Sequence, residues 1–497
     1  MKTAGGMLLT GIELDRSSSI PLYRQLYLQV RKQILCGRLP GGTRLPSTRT
    51  LCKELGLSRI TLLNAFDQLT AEGFLMPRTG SGSYVGHEWQ GRGKVEQPRR
   101  APRLSSLSHA LHSLRSDHFS GVSYDAWAPD CPTSFLPSHP AYDAFPMQVW
   151  KRLANRHLRR PNKADLAYGE LKGLLRLREA IAEYVFDARG IECSVSQVVI
   201  TSGAQQAFNL LGMLLLDPGD AVWMEDPGHI AARISFQALG CQLVPVRIDE
   251  QGMDVQQGLR ECPEARLAFT TPSRQHPLGT TMSYARRQEL IEWGGRGQGW
   301  IIEDDCDSEF RYVGRPLPAL FAMDQWDRVI YVGTFSKVLY PSLRLGYVIL
   351  PEELVEPFCA IRAVMDRSPS TLHQATTADF MLEGHFLGHI RRMRNLYQAR
   401  QASLLEALQR HLGGFLSVSA VEAGLHLIGW LPENLDDDVL ARGLADQQVY
   451  TYALRDYCID RYLPPGLLLG FAATPEDQAE RRVQELLQAL CALGLRE

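Results

Sequence analysis

Residues 329–347 read VIYVGTFSKVLYPSLRLGY, and this stretch decides the fold of most of the chain. The apolar run 329–332 predicts a buried strand, Lys337 follows it closely, and Arg344 comes one short loop later. A lysine amine in this place can form a Schiff base with an aldehyde, while hydroxyls and a guanidinium bind a phosphate. The pattern therefore indicates a site for pyridoxal phosphate (PLP), although by itself a buried, salt-bridged lysine explains Lys337 equally well.

Further short apolar runs precede this stretch, and amphipathic helical patterns separate them. The predicted strands are 198–200, 221–224, 243–246, 267–270, 300–303 and 329–332. Strands that alternate with helices favour an α/β domain, with a mainly parallel sheet and helices on both faces. Ligands of such sheets collect at the carboxyl ends of the strands, so we expect the site at that edge.

Two other segments at predicted strand ends suit the same cofactor. The turn TSGAQ at 201–205 opens a helix whose first backbone N–H groups can bind a phosphate. Asp304 ends another strand, where its carboxylate can keep a pyridine nitrogen protonated. Taken alone, the turn is equally well explained as an ordinary loop, and Asp304 as one exposed acid among several.

The first 87 residues have a different pattern. Residues 20–35 have helical periodicity, Ser47 and Ser58 are N-cap signals for two more helices, and a glycine-rich hairpin follows around 80–82. This order of three helices and a hairpin is typical of a winged helix-turn-helix. The alternative is a packing unit of three short helices.

The third of these helices is the predicted DNA-reading element, because exposed residues of its first turn would enter the major groove. Arg59 is the best candidate for a base contact, since a guanidinium can bond a guanine edge with two hydrogen bonds. The other candidates would anchor the DNA backbone, contact bases or phosphates, or let the wing approach a strand: Arg44, Arg49, Ser58, Thr61, Asn64, Gly80 and Ser81.

Length, charge and cysteine pattern limit the remaining possibilities. At 497 residues, the chain is expected to form at least two domains. Residues 1–87 carry eleven basic and five acidic residues although the whole chain has a net charge of −2. This basic end favours a polyanionic partner, and a solvated basic surface is the alternative.

Ten cysteines without a CxxC pair predict neither a metal site nor a disulfide scaffold. The sequence begins without a secretory signal and lacks an apolar run of the ~18 residues that span a bilayer. We therefore expect a cytoplasmic protein without a membrane partner.

Residues 20–86 resemble the GntR-type winged helix. The motifs are PLYRQL at 21–26, GGTRLPSTR at 41–49, EGFL at 72–75 and the wing GSGSYV at 80–85. That family reads DNA as a dimer with its third helix, so the resemblance implies a double-stranded DNA operator. Its members often have asparagine where Ile60 stands, so the contacts there are expected to differ.

From about residue 123 to its end, the chain resembles the fold-type I aminotransferases. The resemblance rests on Ser202–Gln205, Asp304, Lys337 and Arg344. The resemblance implies that Lys337 forms the internal aldimine with PLP and that Asp304 pairs with the ring nitrogen. It assigns the phosphate to Ala204, Gln205, Thr334, Ser336 and Arg344. It also matches Tyr168 to a tyrosine that reaches the phosphate from the partner subunit, which implies a homodimer with sites at the interface.

The two parts together resemble the MocR/GabR subfamily of GntR regulators. The motif that carries this resemblance is DDCDSEFRY at 304–312. Three departures concern the site. Cys306 stands where the subfamily usually has a tyrosine that bonds the cofactor, and His229 replaces the aromatic residue that stacks on its ring. Ala473 replaces the arginine that binds the substrate carboxylate in true aminotransferases, and Arg274 or Arg455 are the alternatives for that role.

These resemblances imply a DNA-binding domain at 15–87, a linker at 88–122 and an aminotransferase-like effector and dimerisation domain at 123–497. They imply a PLP-dependent transcriptional regulator that senses an amine, an amino acid or PLP itself. One alternative is an active aminotransferase, with Lys337 as its catalytic residue, fused to a DNA-binding domain. The other is a dimerisation scaffold without a ligand.

Overall fold

The computed structural model describes residues 12–88, 104–105, 107–108, 135–159, 167–297, 299–314, 317–460 and 462–495. The chain divides into two compact units, at residues 1–103 and 104–497. Most of the linker expected at 88–122 lies outside the described residues, and the domain boundaries given above stay predictions.

The first unit contains three helices and a hairpin, in the predicted order. They are α1 (Leu22–Leu35), α2 (Thr48–Leu55), α3 (Arg59–Ala71), β1 (Leu75–Arg78) and β2 (Gly82–Val85). Ser47 and Ser58 cap α2 and α3 as predicted, because their hydroxyls accept hydrogen bonds from Thr50 N and Thr61 N. Gly56 ends α2 with a φ of 60°, which a residue with a side chain rarely adopts.

The core of this unit is formed by one face of each helix together with the hairpin. Leu26, Val30, Leu51, Leu62 and Leu69 are buried and pack together. Three helices of 14, 8 and 13 residues need this shared core, because isolated helices of that length are marginal in water.

The second unit is built on an eight-stranded sheet of order β3-β10-β9-β8-β7-β4-β5-β6. The strands are β3 (Val198–Thr201), β4 (Ala221–Asp226), β5 (Gln242–Asp249), β6 (Gly252–Met253), β7 (Leu267–Thr270), β8 (Trp300–Asp305), β9 (Val329–Thr334) and β10 (Gly346–Ile349). All six predicted strands are present, and the pairs among β5, β4, β7, β8 and β9 are parallel.

The sequence did not predict β10, which lies antiparallel between β3 and β9. Its first residue, Gly346, fits there because a Cβ would lie 2.9 Å from Gly333 O and 3.0 Å from Gly203 Cα. This close approach brings the ends of β3 and β9 to either side of one point on the sheet edge.

Helices cover both faces of this sheet. The described helices of the second unit are α4 (Met147–Arg159), α5 (Leu175–Arg189), α6 (Ala204–Leu215), α7 (Ile230–Ala238), α8 (Val255–Glu261), α9 (Tyr284–Gly297), α10 (Leu320–Met323), α11 (Glu352–Met365), α12 (Thr371–Leu382), α13 (His385–Leu412), α14 (Asp437–Asp446) and α15 (Ala479–Ala492). Successive residues of β3 alternate between two buried clusters, Val199 in one and Val198 and Ile200 in the other. Burial on both faces explains why the strands are almost wholly apolar.

A small antiparallel sheet completes the second unit, with strand order β11-β13-β12. Its strands are β11 (His426–Trp430), β12 (Tyr452–Ala453) and β13 (Gly466–Gly470). In the part of the chain that the structure describes, no helix has the length and apolar character required to cross a membrane.

Candidate functional site

A cavity of about 920 Å³ opens at the carboxyl ends of β3, β8 and β9. Nine of the predicted cofactor residues line it: Lys337, Asp304, Arg344, Ala204, Gln205, Thr334, Ser336, His229 and Cys306. They come from positions as distant as 204 and 344, so the sheet rather than the local sequence brings them together.

Lys337 lies three residues beyond β9 and is partly buried. Its ammonium donates a hydrogen bond to Ser138 O at 3.4 Å. Among the described residues no carboxylate forms an ion pair with it, so the ion-paired lysine considered above does not describe this site. A lysine with one long contact to a carbonyl keeps an amine that can turn toward a ligand.

One end of the cavity has the donors that a phosphate requires. The cap of α6 is Gly203, with a φ of 94° and without a side chain, so the first N–H groups of the helix are open to a ligand. The Arg344 guanidinium lies beside this helix end, because a Cβ on Gly203 would be 3.5 Å from its central carbon. Arg344 itself has a φ of 52°, which is strained for a residue other than glycine.

Two hydroxyls at the same end are ordered relative to each other. Thr334 Oγ1 donates to Ser336 Oγ at 3.1 Å and accepts from Ser336 N at 3.2 Å. The Thr334 hydroxyl therefore already donates to Ser336, whereas the Ser336 hydroxyl can donate its hydrogen bond to a ligand. Thr334 thus positions Ser336.

Gln205 contributes less than the sequence suggested. Its amide nitrogen donates to Ala231 O at 3.2 Å and to Ser235 Oγ at 2.6 Å, which ties the side chain to α7. The backbone N–H of Gln205, in the first turn of α6, remains the group that suits a phosphate.

Asp304 is the most unusual residue of the site. It is 2% exposed, and neither carboxylate oxygen has a hydrogen-bond partner among the described residues. Burial raises the pKa of the Asp304 carboxyl well above its usual value, and the carboxylates of Asp305 and Asp307 raise it further. A buried carboxyl without partners is costly, and a cationic hydrogen-bond donor in the cavity would offset that cost.

His229 lines the same cavity as Asp304 and Lys337, and its role toward a cofactor stays a prediction. Its Nδ1 accepts from Ala232 N at 3.4 Å, so the ring also caps α7. Burial and the nearby Lys337 ammonium lower the pKa of His229 to about 4. The ring is therefore neutral at pH 7, with its proton on Nε2, and it offers a planar face.

Cys306 also lines the cavity and is 9% exposed. Its thiol is 3.7 Å from Asp307 Oδ1. Burial raises the pKa of the Cys306 thiol well above its usual value, and Asp307 adds to the effect. The group is therefore a neutral S–H, which is a weak hydrogen-bond donor.

Sequence reasoning missed one segment of the site. Pro137, Ser138, His139 and Tyr142 line the cavity from a stretch that precedes α4, and Ser138 O is the partner of Lys337. The stretch has neither helical nor strand periodicity, so the sequence contained no signal for its position. Phe208 was also missed, because its place in α6 is that of an ordinary core residue.

Neither arginine considered for a carboxylate, Arg274 or Arg455, lines the cavity, and that role stays a prediction. Arg274 is 2% exposed, lies 3.6 Å from Asp307 and donates to Ala423 O at 3.0 Å. Arg455 is 3.0 Å from Asp436. Both cations already have an aspartate partner.

Tyr168 does not line the cavity of its own chain. The residue is 84% exposed, and the guanidinium of Arg367 lies over its ring at 4.7 Å. Its assignment to the cavity of a partner subunit stays a prediction.

The predicted DNA-binding residues lie on the first unit. Arg44, Arg49, Ser58, Arg59, Asn64 and Gly80 are exposed, whereas Thr61 and Ser81 are partly buried. The Ser58 and Thr61 hydroxyls lie 2.8 Å apart at the start of α3, and Ser81 pairs with the Tyr84 hydroxyl at 2.6 Å. Arg59, Arg49 and Arg44 are thus among the cations of this unit that are accessible to a polyanion.

Ile60 is 72% exposed in the first turn of α3. An apolar side chain beside Arg59 can contact the methyl group of thymine, whereas the asparagine common in the GntR family would contact adenine. The accessible position supports the expectation that base contacts here differ from those of many relatives.

Comparison with known proteins agrees with both parts of this description. The family model for aminotransferase class I and II matches residues 138–486, and the model for bacterial regulatory proteins of the gntR family matches residues 22–85. The probable rhizopine catabolism regulatory protein MocR of Rhizobium meliloti is 38% identical over 484 residues, which cover 97% of this chain and 96% of that protein.

Two further proteins are similar over most of their length. The HTH-type pyridoxine biosynthesis transcriptional regulator PdxR of Corynebacterium glutamicum is 29% identical over 95% of this chain and 96% of its own. The α-aminoadipate aminotransferase LysN of Thermus thermophilus, solved with N-(5′-phosphopyridoxyl)-L-leucine, has a TM-score of 0.69 at 25% identity. The match covers 78% of this chain and 99% of that one.

Proposed function

This chain belongs to the MocR-like transcriptional regulators, which join a GntR-type winged helix to an aminotransferase class I and II domain, and from that premise we propose that it binds PLP on Lys337 and that the loaded domain controls binding of the winged helix to DNA. The ligand that it senses would be an amine, an amino acid or PLP itself.

The observation that carries this proposal is the unpartnered carboxyl of Asp304, buried in the same cavity as Lys337. A protonated pyridine nitrogen is the kind of cationic donor that such a carboxyl lacks. The same cavity has groups that suit a phosphate at Gly203, Ser336 and Arg344. An amine, a carboxyl and an anion site in one cavity support the proposal of PLP.

Bound there, PLP would supply an aldehyde that takes up primary amines. Lys337 would hold the cofactor covalently, Asp304 would orient its ring, and His229 would lie against it. Ser336, Arg344 and the first N–H groups of α6 would hold the phosphate. Cys306 would replace a stronger hydrogen-bond donor and leave the cofactor oxygen weakly bound.

Regulation would follow from a difference in DNA affinity between the loaded and the unloaded protein. A coupling free energy of ~1–3 kcal/mol between two sites changes the affinity about 5- to 150-fold. We propose a homodimer in which Tyr168 of each subunit reaches the partner's cavity, and a cytoplasmic location in reach of the operator.

The first test is the visible absorption of the purified chain after PLP has been added and the excess removed. We expect a Schiff-base band that borohydride fixes on the peptide containing Lys337, and that Lys337→Ala abolishes. Lys151→Ala is the matched control, because Lys151 is an exposed lysine outside the cavity.

The outcome separates the three functions considered. A band with DNA affinity that depends on loading supports the proposed regulator. Multiple turnovers with an amino donor and a keto acceptor would replace it with an aminotransferase. Absence of the band at saturating PLP, in protein that still binds DNA, would leave a scaffold.

A further inference from the structure

The charged groups of the cavity are all accounted for by the proposed cofactor. Of the described residues that line it, the basic side chains besides histidine are Lys337 and Arg344, and the one carboxyl is Asp304. Lys337 would bind the aldehyde, Arg344 the phosphate and Asp304 the ring. Among the described residues of one chain, the lining retains no cation for a second anionic group.

The histidines of the wall do not supply that missing charge. Burial, assisted by the Lys337 ammonium, lowers the pKa of His139 and His229 to about 4. Burial lowers the pKa of His276 well below its usual value, and the neighbouring His426 contributes to the effect. All three rings are therefore neutral under physiological conditions.

Three arginines outside the lining each have an aspartate partner. Arg274 lies 3.6 Å from Asp307, and Arg455 lies 3.0 Å from Asp436. The third, Arg400, forms an ion pair with Asp143 and donates to Ala472 O at 2.6 Å. Recruiting Arg274 would leave the buried Asp307 carboxylate without its cation. The partners of Arg455 and Arg400 are exposed, and neither of these two arginines lines the cavity.

Two groups of aromatic residues also line the cavity. In one, Tyr340 packs edge-on against Phe145 at 5.0 Å and Trp150 at 5.6 Å between ring centroids. In the other, Tyr457 lies 5.2 Å from His276 and 6.2 Å from Tyr452. Such walls gain from an apolar or aromatic body and give a carboxylate nothing to replace its hydration.

We propose that the ligand of this cavity is a primary amine with an aromatic or apolar body and without a carboxylate. This inference rests on the proposed PLP site, because the amine group is what the cofactor would recognise. It narrows the range of ligands proposed above from amines and amino acids to amines without a carboxylate.

The test compares ligand pairs that differ by one carboxylate, on full-length protein loaded with PLP and freed of the excess. The pairs are phenethylamine with L-phenylalanine and 3-methylbutylamine with L-leucine, and methylamine serves as an amine without a body. Affinity is measured by calorimetry and by the shift of the visible band. We expect each amine to bind on the order of 100-fold more tightly than its amino acid, since an uncompensated buried charge is strongly unfavourable.

The aromatic wall is tested by two substitutions at one partly buried position. Tyr340→Leu removes the ring, and we expect phenethylamine to bind about five-fold more weakly, which is the usual size of an aromatic contact. Tyr340→Phe keeps the ring and is expected to retain the affinity of the unaltered protein. Both variants are compared after their PLP band has been shown to be intact.

The results separate this inference from the proposed function. If PLP forms no band, the proposed function fails. If the band forms but L-phenylalanine binds as tightly as phenethylamine, this inference is overturned while the PLP site stands. If methylamine binds as tightly as phenethylamine, the role assigned to the aromatic wall is overturned. It is also overturned if Tyr340→Leu leaves the affinity for phenethylamine unchanged.

Discussion

The two units of this chain place their functional residues in opposite environments. On the winged helix, Arg59 and Arg49 are exposed at the surface, and the core beneath is mainly apolar. In the large unit, Asp304 is 2% exposed and has no hydrogen-bond partner among the described residues. The functional residues of the first unit lie at its surface, outside its core. In the second unit, the buried Asp304 carboxyl is expected to lower the stability of the fold.

The same contrast exists inside the large unit between two consecutive residues. Asp305, which follows Asp304 in β8, is also buried, but its carboxylate is 2.5 Å from Arg189 Nε and accepts the Tyr331 hydroxyl. One aspartate is a partnered structural group, and the other is a carboxyl without a partner. Substitution by asparagine is therefore expected to have opposite effects at the two positions.

The largest effect is expected for Asp305→Asn. The change leaves the Arg189 guanidinium, whose side chain is 5% exposed, without its closest counter-charge. Breaking a buried ion pair in this way lowers the free energy of unfolding by about 3 kcal/mol. Tryptophan emission during urea unfolding reports mainly on the large unit, because seven of the eight tryptophans lie in residues 104–497.

Asp187→Asn is the control for this substitution, since Asp187 is exposed on α5, the helix that also carries Arg189. We expect its unfolding to match that of the unaltered protein. Equal stability of Asp305→Asn and Asp187→Asn would show that the Arg189 pair does not stabilise the fold.

Asp304→Asn is expected to stabilise the PLP-free protein by about 2 kcal/mol at pH 8, because it removes a buried ionisable group without partners. The raised pKa of Asp304 determines the sign. Protonation of Asp304 contributes fully to the free energy of unfolding below the pKa of the unfolded state, near 3.8, and this contribution is lost as pH rises through the folded-state pKa. The unaltered protein therefore becomes less stable than the variant as pH rises.

With PLP added, the order of stability is expected to reverse, since only the aspartate offsets a charged ring nitrogen. Unfolding midpoints at pH 5 and pH 8, with and without PLP, measure both effects. A variant that is less stable than the unaltered protein at both pH values without PLP would contradict our account of Asp304.

Most of the fold could be predicted from the sequence, because burial patterns are local. Apolar runs such as 329–332 become strands when both faces are covered, and Ser47 and Ser58 form caps within three residues of themselves. The antiparallel β10 could not be predicted, since its place depends on a contact between Gly346 and Gly333 across the sheet.

For the site, the sequence indicated nine of the residues that line the cavity but not which partners they have. The ties of Gln205 to α7 and of Arg274 to Asp307 join segments that are distant along the chain. Nothing in the pattern around either residue reports such a partner. The segment that contacts Lys337 through Ser138 O was missed for the same reason.

On the winged helix, Arg59→Ala is expected to weaken specific DNA binding about 10-fold or more, which corresponds to the loss of a bidentate base contact. Stability is expected to remain unchanged, because Arg59 is exposed. The measurement is the affinity for duplexes selected from a random pool, compared with unselected duplex at several salt concentrations.

Arg49→Ala is the matched comparison, as a second exposed arginine that would contact phosphate. It is expected to weaken both kinds of duplex alike and to reduce the salt slope by about one. If Arg59→Ala also weakened both alike, then Arg59 would be a backbone contact and the base reader would lie elsewhere on α3.

The smallest expected effect is that of Ser58→Ala, which tests whether this hydroxyl belongs to the fold or to the DNA surface. Ser58 Oγ accepts from Thr61 N at 3.2 Å, and the loss of such a cap costs about 1 kcal/mol. Amide hydrogen exchange of the peptides from α3 should therefore accelerate about five-fold. Thr79→Ala, at an exposed position of the hairpin, is the control. Exchange that stays unchanged while DNA affinity falls would assign Ser58 to DNA contact instead, and would place one more functional group on the surface of the unit whose stability does not depend on it.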